Sequence, residues 1–230
     1  MKQLLTITLC LFLLQVTLAQ TENFTKPDFK VIEKTIADKN SPLYYSKLIE
    51  RYEANDTTLT NNEYRYLYYG YSFQAAYSPY GRPALSDDLK KSIADKDNEK
   101  IISLEKKILK EFPFNLRDLN RLVNTLDKKG DTAEATIYYK KLLGVANAIF
   151  STGDGRTDST AMYVISVDHE YDMIGLLGFE RGGSQSLINN KFGSMDKLSL
   201  AKNDDGIENL YFNVDRLFAQ MMNLFDKKKN

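Results

Sequence analysis

The first 150 residues place apolar side chains three and four positions apart, which is the spacing of one face of an α-helix. Lys26-Pro27-Asp28 and Ser41-Pro42 precede the first two of these patterns and supply helix start signals. The apolar positions are Phe29, Ile32 and Ile36, followed by Tyr45, Leu48, Ile49 and Tyr52. The spacing predicts two short amphipathic helices that each bury one face.

A tyrosine-rich stretch follows, NEYRYLYYGYSFQAAYSPYG at residues 62–81, with seven tyrosines in twenty positions. Thr60 and Glu63 have the spacing of a capping box, so the stretch begins as a helix, and Pro79 and Gly81 end it. Tyrosine occurs on more than one face of this helix, which predicts that several elements cover it. Two interpretations stay open: the rings form a central core with their hydroxyls at its rim, or some of them line a groove.

The groove interpretation assigns binding contacts to four tyrosines and one arginine. Tyrosine offers a large, stiff, amphipathic surface, and arginine donates charge-assisted hydrogen bonds. The chain has 15 tyrosines and no tryptophan, a surplus that supports this interpretation. The candidate binding residues are Tyr66, Tyr69, Tyr77, Tyr80 and Arg82.

Residues 100–143 resemble one tetratricopeptide repeat preceded by the last helix of another. The stretch ILKEFPFN matches the end of a repeat helix, and Gly130-Asp131 matches the turn between the two helices of a repeat. Glycine can adopt the left-handed conformation that closes a helix, and Asp131 with Glu134 can cap the next one. The matching positions of the second helix are Ala135, Tyr139 and Leu143. The resemblance implies a helical hairpin, and without a clean second copy we do not expect a long solenoid.

The pattern changes at residues 151–156, STGDGR, beyond which the apolar period falls towards two. Four segments beyond this point are typical of strands, and residues 169–179 predict a short helix after the first of them. The predicted strands are MYVISV (162–167), SQSLI (184–188), SMDKLSLA (194–201) and IENLYFNV (207–214). Short turns join the last three, which predicts an antiparallel meander. Asp215 is expected to cap a terminal helix that packs on one face of this sheet.

Several motifs are spread along nearly the whole chain: the signal peptide, the tyrosine-rich run at 64–80, TGDG at 152–155, A-x-x-V-I-S-V-D-x-E-Y at 161–171 and a final LYFNV. In these motifs the chain resembles an uncharacterised family of exported bacterial proteins, known only as a domain of unknown function. The resemblance implies a bacterial envelope or extracellular setting, and it brings no assigned activity.

The first nineteen residues are typical of a secretory signal peptide. Lys2 is followed by an uncharged apolar run at 4–18, and Ala19 supplies a small residue before a predicted cleavage ahead of Gln20. The run is too short and too polar to favour a membrane-spanning helix. Cys10, the one cysteine, lies in this run, so the predicted mature chain has no thiol for disulfides, zinc binding or nucleophilic catalysis. We expect an exported protein, periplasmic or extracellular.

Candidate chemistry is sparse in the remaining sequence. Balanced charge, with 31 Lys and Arg against 31 Asp and Glu, gives no indication of a nucleic-acid partner. His169, the one histidine, precedes Glu170, and these are the residues that acid–base catalysis would use, although no serine-nucleophile motif accompanies them. Asp154 and Asp158 are the residues that an oxygen-ligand metal site would use, but they lack the spacing of a calcium-binding loop. No cofactor is expected.

Together these patterns predict an α+β protein in three parts. A signal peptide (1–19) precedes a helical, tetratricopeptide-like region (20–150) and a region (151–230) with a small antiparallel sheet and covering helices. The expected function is non-catalytic binding or scaffolding in the bacterial envelope, with a tyrosine-rich groove that recognises a protein, peptide or glycan. The alternative is a carboxylate-based hydrolase that acts on an envelope or extracellular substrate. The sequence leaves the oligomeric state open.

Overall fold

The computed structural model describes residues 24–80 and 86–227, with side chains up to Met222. Nine α-helices, one short 3-10 helix and four strands lie in these ranges. The helices are α1 (Phe29–Ala37), α2 (Tyr45–Glu53), α3 (Asn61–Tyr71), α4 (Asp87–Ala94), α5 (Asn98–Glu111), α6 (Leu116–Lys129), α7 (Thr132–Phe150), α8 (Val167–Leu176) and α9 (Asp215–Lys227), with the 3-10 helix at Asp158–Thr160. The strands are β1 (Met162–Tyr163), β2 (Arg181–Asn190), β3 (Gly193–Leu200) and β4 (Asn209–Asn213). The fold is therefore α+β, as predicted.

Capping residues set the helix starts. The Asp28 carboxylate accepts hydrogen bonds from the first turn of α1, and Thr60 with Glu63 forms the predicted capping box at the start of α3. Helix α2 begins at Tyr45, later than expected, because Ser41 and the following proline form a turn in which the Ser41 hydroxyl accepts from the Leu43 N–H. Local hydrogen bonds of this kind set helix boundaries because they bind backbone groups in place of the helical hydrogen bonds.

Helices α6 and α7 form the predicted hairpin. Gly130 closes α6 in the left-handed conformation, with φ +89°. Asp131 does not cap α7 with its side chain, which corrects the prediction, because its carboxylate pairs with Lys129 at 3.0 Å. Tyr139 and Leu143 are exposed (48% and 40%), so they do not pack as the repeat resemblance implied. The apolar residues that α7 buries are Ala135, Leu142, Val145, Ala148 and Ile149. The likeness to tetratricopeptide repeats stays a prediction.

The sheet has the strand order β1-β4-β3-β2. Strands β2, β3 and β4 form the predicted antiparallel meander, whereas β1 pairs in parallel with β4. The first strand was predicted over 162–167 but ends at Tyr163. The reason is that two tyrosine hydroxyls form hydrogen bonds with the backbone of Ile165. Tyr68 accepts from its N–H at 3.2 Å, and Tyr77 donates to its carbonyl at 2.7 Å.

The terminal helix is tied to the sheet at its first residue. The Asp215 carboxylate accepts from the Ser194 N–H of β3 at 2.8 Å and from the Asn213 amide of β4 at 3.1 Å. Leu217, two residues further on, is fully buried. These bonds hold the start of α9 against the end of the meander.

One cluster of buried residues extends from α1 to α9 and crosses the predicted boundary at residues 150 and 151. Tyr69 illustrates the continuity, because its hydroxyl donates to the carbonyls of Ala148 in α7 and Tyr163 in β1. The division into two regions stays a prediction. No helix in the described ranges is long and apolar enough to cross a bilayer.

Candidate functional site

The predicted tyrosine site divides into buried and exposed residues. Tyr69 is completely buried and Tyr77 is 7% exposed, with both hydroxyls bonded to backbone carbonyls. These two rings are therefore core residues, which corrects the expectation that they form a contact surface. Tyr66 is partly buried, Tyr80 is 61% exposed, and Arg82 lies outside the described residues.

A small cavity lies beside Tyr77, between the end of α3 and the start of α8. Tyr71, Phe114 and His169 line it as well, and its volume is about 30 Å³. A cavity needs about 10 to 15 Å³ measured in this way to hold one water molecule. This cavity therefore has room for water but is too small for a peptide or a sugar. The groove prediction stays open for Tyr66 and Tyr80, and for Arg82, which lies outside the described residues.

His169 connects α8 to two other elements of the core. Its Nδ1 lies 2.7 Å from the Tyr68 hydroxyl, which itself accepts from the Ile165 N–H, so the hydroxyl proton points to the ring. Burial lowers the pKa of His169 to about 4, although a hydrogen bond to the Phe114 backbone favours the charged form. The imidazole is neutral at pH 7, and both ring nitrogens are engaged. Such a histidine holds elements of the core together.

Glu170, the next residue, points to the sheet instead. It is completely buried, and neither carboxylate oxygen receives a hydrogen bond within the described chain. Burial first, and then Asp196 of β3, raises the pKa of Glu170 from 4.5 to about 9. The protonated carboxyl can donate to the Asp196 carboxylate, which also accepts from the Gln185 amide at 2.9 Å. His169 and Glu170 therefore contact α3 and β3 respectively, and the structure does not bring them together in a cleft.

The two acidic loop residues have protein partners. Asp154 accepts from the Arg156 N–H at 3.0 Å, and Asp158 accepts from the Asn190 amide at 2.9 Å. Within residues 24–80 and 86–227, no group of three histidine, cysteine, aspartate or glutamate side chains is placed to hold a metal ion. The two aspartates shape the loop between α7 and β1 and the tip of the β2–β3 hairpin.

A larger concave site lies elsewhere, between α4, α5 and α6, and we call it the basic groove. Its volume is about 660 Å³, within the range of known ligand sites. Ten residues line it: Ile93, Lys96, Asn98, Ile101, Arg117, Asn120, Arg121, Asn124, Thr125 and Lys128. Four of them are cations, three are asparagines, and none is acidic. The basic groove therefore presents positive charge together with amide donors and acceptors.

Buried carboxylates position the two arginines of the basic groove. Arg117 pairs with Asp172 at 2.7 Å, and Arg121 pairs with Glu105 and, at 3.1 Å, with Asp118. All three acids are almost completely enclosed, with exposed side-chain fractions of 6%, 0% and 0%. Burial raises the pKa of Asp172 to about 6 in spite of Arg117. These acids offset the charge of the two arginines, so the positive charge that a ligand would meet in the basic groove comes mainly from its two lysines.

The lysines of the basic groove have no such partners. Lys96 and Lys128 are exposed, and neither has a carboxylate within ion-pair distance in the described part of the chain. Between them, Asn124 donates from its amide nitrogen to the Asn120 amide oxygen at 3.1 Å. This bond leaves the Asn120 nitrogen as a free donor and the Asn124 oxygen as a free acceptor.

Sequence reasoning missed the basic groove, although a signal was present. Arg117, Asn120, Arg121, Asn124 and Lys128 are spaced so that they share one face of α6, and that face carries cations and amides only. A solvent-exposed helix face ordinarily mixes both signs of charge. The bias could have indicated an anionic partner, but α4 and α5 had to be placed before a concave surface could be inferred.

Comparisons with known proteins give a family and no more. No curated protein and no solved structure matches the chain. The model of one family, described as a domain of unknown function (DUF4919), matches residues 30–223. This match spans nearly all of the helices and the whole sheet, so the chain belongs to the DUF4919 family.

Proposed function

We propose that this protein is an exported, non-catalytic binding protein of the bacterial envelope, and that its basic groove recognises an extended acidic segment of a partner protein. The observation that carries the proposal is the lining of the groove, which contains no acid and two lysines, Lys96 and Lys128, without a carboxylate partner in the described part of the chain. Opposite charge between two surfaces speeds association and excludes partners of the wrong sign. Export is supported by the apolar run at residues 4–18.

An extended peptide matches the amide chemistry of the groove. The free donor of Asn120 and the free acceptor of Asn124 lie side by side on consecutive turns of α6. A peptide unit offers one carbonyl and one N–H, so these two asparagines can bind the main chain of a segment in the groove. Lys96 and Lys128 are then available for its acidic side chains.

Binding of a labelled ten-residue peptide of alternating Glu and Ser, followed by fluorescence anisotropy, tests the proposal. We expect the double variant Lys96→Glu, Lys128→Glu to bind at least about 10-fold more weakly, because two attractive charges become repulsive and about 1.4 kcal/mol corresponds to that factor. Replacing Glu by Gln in the peptide should weaken binding to the native protein in the same way.

The matched control is the double variant Lys110→Glu, Lys202→Glu, which makes the same change in net charge at exposed positions outside the groove. It should bind the acidic peptide like the native protein. Equal losses in the two double variants would mean that only overall charge matters. Equal binding of the Glu and Gln peptides would also overturn the proposal.

A further inference from the structure

Strand β2 forms one edge of the sheet, and its outer side has no strand partner in the described part of the chain. Nine of its ten residues are exposed, and the apolar side chain of Leu187 is 49% exposed. From Gly182 to Asn190 the strand contains no charged residue and no proline. Soluble proteins ordinarily protect a long edge with charges or proline, because its free N–H and C=O groups pair readily with another strand.

The pairing with β3 determines which backbone groups of β2 face outward. The Ser194 carbonyl and the Leu200 N–H of β3 both bond towards β4, so even-numbered residues of β3 face away from β2. The partners of residues 194, 196 and 198 in β2 are Asn189, Leu187 and Gln185. In an antiparallel pair, residues opposite one another direct their backbone groups the same way relative to their shared ladder. The N–H and C=O groups of Gln185, Leu187 and Asn189 therefore point to the free edge.

These three residues define a self-complementary site. We propose that two copies of this chain associate through β2, as antiparallel strands related by a two-fold axis at Leu187. In this register Leu187 faces Leu187 of the second copy, and Gln185 faces Asn189 on both sides of the axis. All six outward backbone groups of each copy are then paired. The two sheets become one continuous sheet.

Charge and local geometry agree with this register. The nearest cations are Arg181 and Lys191, and both lie outside the regular stretch from Gln185 to Asn190, so no cation opposes another within the paired segment. The register of β2 against β3 shifts between Arg181 and Gln185, where Gly183 has φ +93°. This irregularity ends the regular edge on one side, and the turn at Lys191 ends it on the other.

A second copy fits the edge because of the composition of the strand. An uncharged strand lacks any feature that would select a charged foreign peptide, whereas it opposes its own copy without repulsion.

Sedimentation velocity of the mature protein at concentrations from about 10 to about 500 µM tests this proposal, because strand pairing alone buries less area than a tight dimer does. We expect a concentration-dependent shift from monomer to dimer. Leu187→Lys places two cations face to face on the axis and should raise the dimer dissociation constant at least about 10-fold. Val31→Lys makes the same change at a residue of α1 that is 51% exposed, and it should dimerise like the native protein.

Two further variants make the test specific to the backbone register. Leu187→Pro removes an N–H that the β2–β3 ladder does not use, so the fold should persist, as checked by circular dichroism, while dimerisation is lost. A cysteine at position 187, in a mature chain that has no other, should be joined to its copy by a short bismaleimide, and a cysteine at position 31 should not. A native protein that stays monomeric up to about 500 µM would overturn the proposal. Dimerisation that neither Leu187 variant weakens would overturn it too.

Discussion

Replacing Glu170 by glutamine should stabilise this protein, and it should do so more strongly as the pH rises. Glu170 is completely buried between α8 and β3, and burial together with Asp196 raises its pKa from 4.5 to about 9. An ionised carboxylate there would face a second carboxylate with no donor to either of its oxygens. Glutamine has nearly the same volume, carries no charge at any pH, and can donate its amide to Asp196 as the protonated glutamate does.

The magnitude follows from the difference between the folded and unfolded pKa values. Because the folded-state pKa lies above the unfolded one, the folded protein binds the extra proton, and the free energy of unfolding falls as pH rises between about 4.5 and 9. Each pH unit in that window costs about 1.36 kcal/mol. At pH 7 the native glutamate should therefore cost about 3 kcal/mol relative to a group that does not titrate, and at pH 5 less than about 1 kcal/mol.

Urea unfolding of the native protein and of Glu170→Gln at pH 5, 6 and 7 measures this effect. We expect the advantage of the variant to grow by about 2 to 3 kcal/mol from pH 5 to pH 7. Glu111→Gln, at an exposed position on α5, is the control and should show no such trend. A stability difference that is the same at all three pH values would refute the reasoning, because only a proton held by the folded state makes it depend on pH.

Two other substitutions test the packing around α3. Tyr68→Phe leaves the buried Nδ1 of His169 without its hydrogen-bond donor. The free energy of unfolding, measured by urea titration, should therefore fall by about 2 kcal/mol. An unchanged free energy of unfolding would contradict this role of the hydroxyl. Gly144→Ala places a methyl carbon 2.5 Å from the Tyr64 ring and should lower the free energy of unfolding by about 2 kcal/mol. Gly175→Ala is the control, because open space surrounds the added carbon, and it should be neutral or stabilising. Equal effects of the two variants would contradict this packing.

Local signals predicted much of the secondary structure because they act within a few residues. The capping box of Thr60 and Glu63 starts α3, and Gly130 ends α6 in the conformation that glycine favours. The three-strand meander follows from alternating side chains and short turns. The expected strand at 162–167 failed where a distant partner intervened, since the hydroxyls of Tyr68 and Tyr77 bind the backbone of Ile165.

The candidate sites were less predictable because they depend on the direction in which each side chain points and on the elements that bury it. His169 and Glu170 are adjacent in sequence, but successive residues of a helix point about 100° apart, so one side chain contacts α3 and the other contacts β3. The tyrosine surplus was visible, whereas the burial of Tyr69 and Tyr77 depended on α7 and on the segment after β1. The basic groove likewise required three helices to be placed side by side.

The sequence by itself determined the α+β class, the capping box of α3, the hairpin of α6 and α7, and the order of the meander strands. Neighbouring residues fix these features because they set local backbone hydrogen bonds and the period of apolar side chains. Only the tertiary structure decided that Glu170 keeps its proton, that β1 joins the sheet in parallel, and that β2 has a free edge. These properties depend on which groups exclude water from a carboxyl and which strands pair with an edge, and residues far apart in the chain supply those groups.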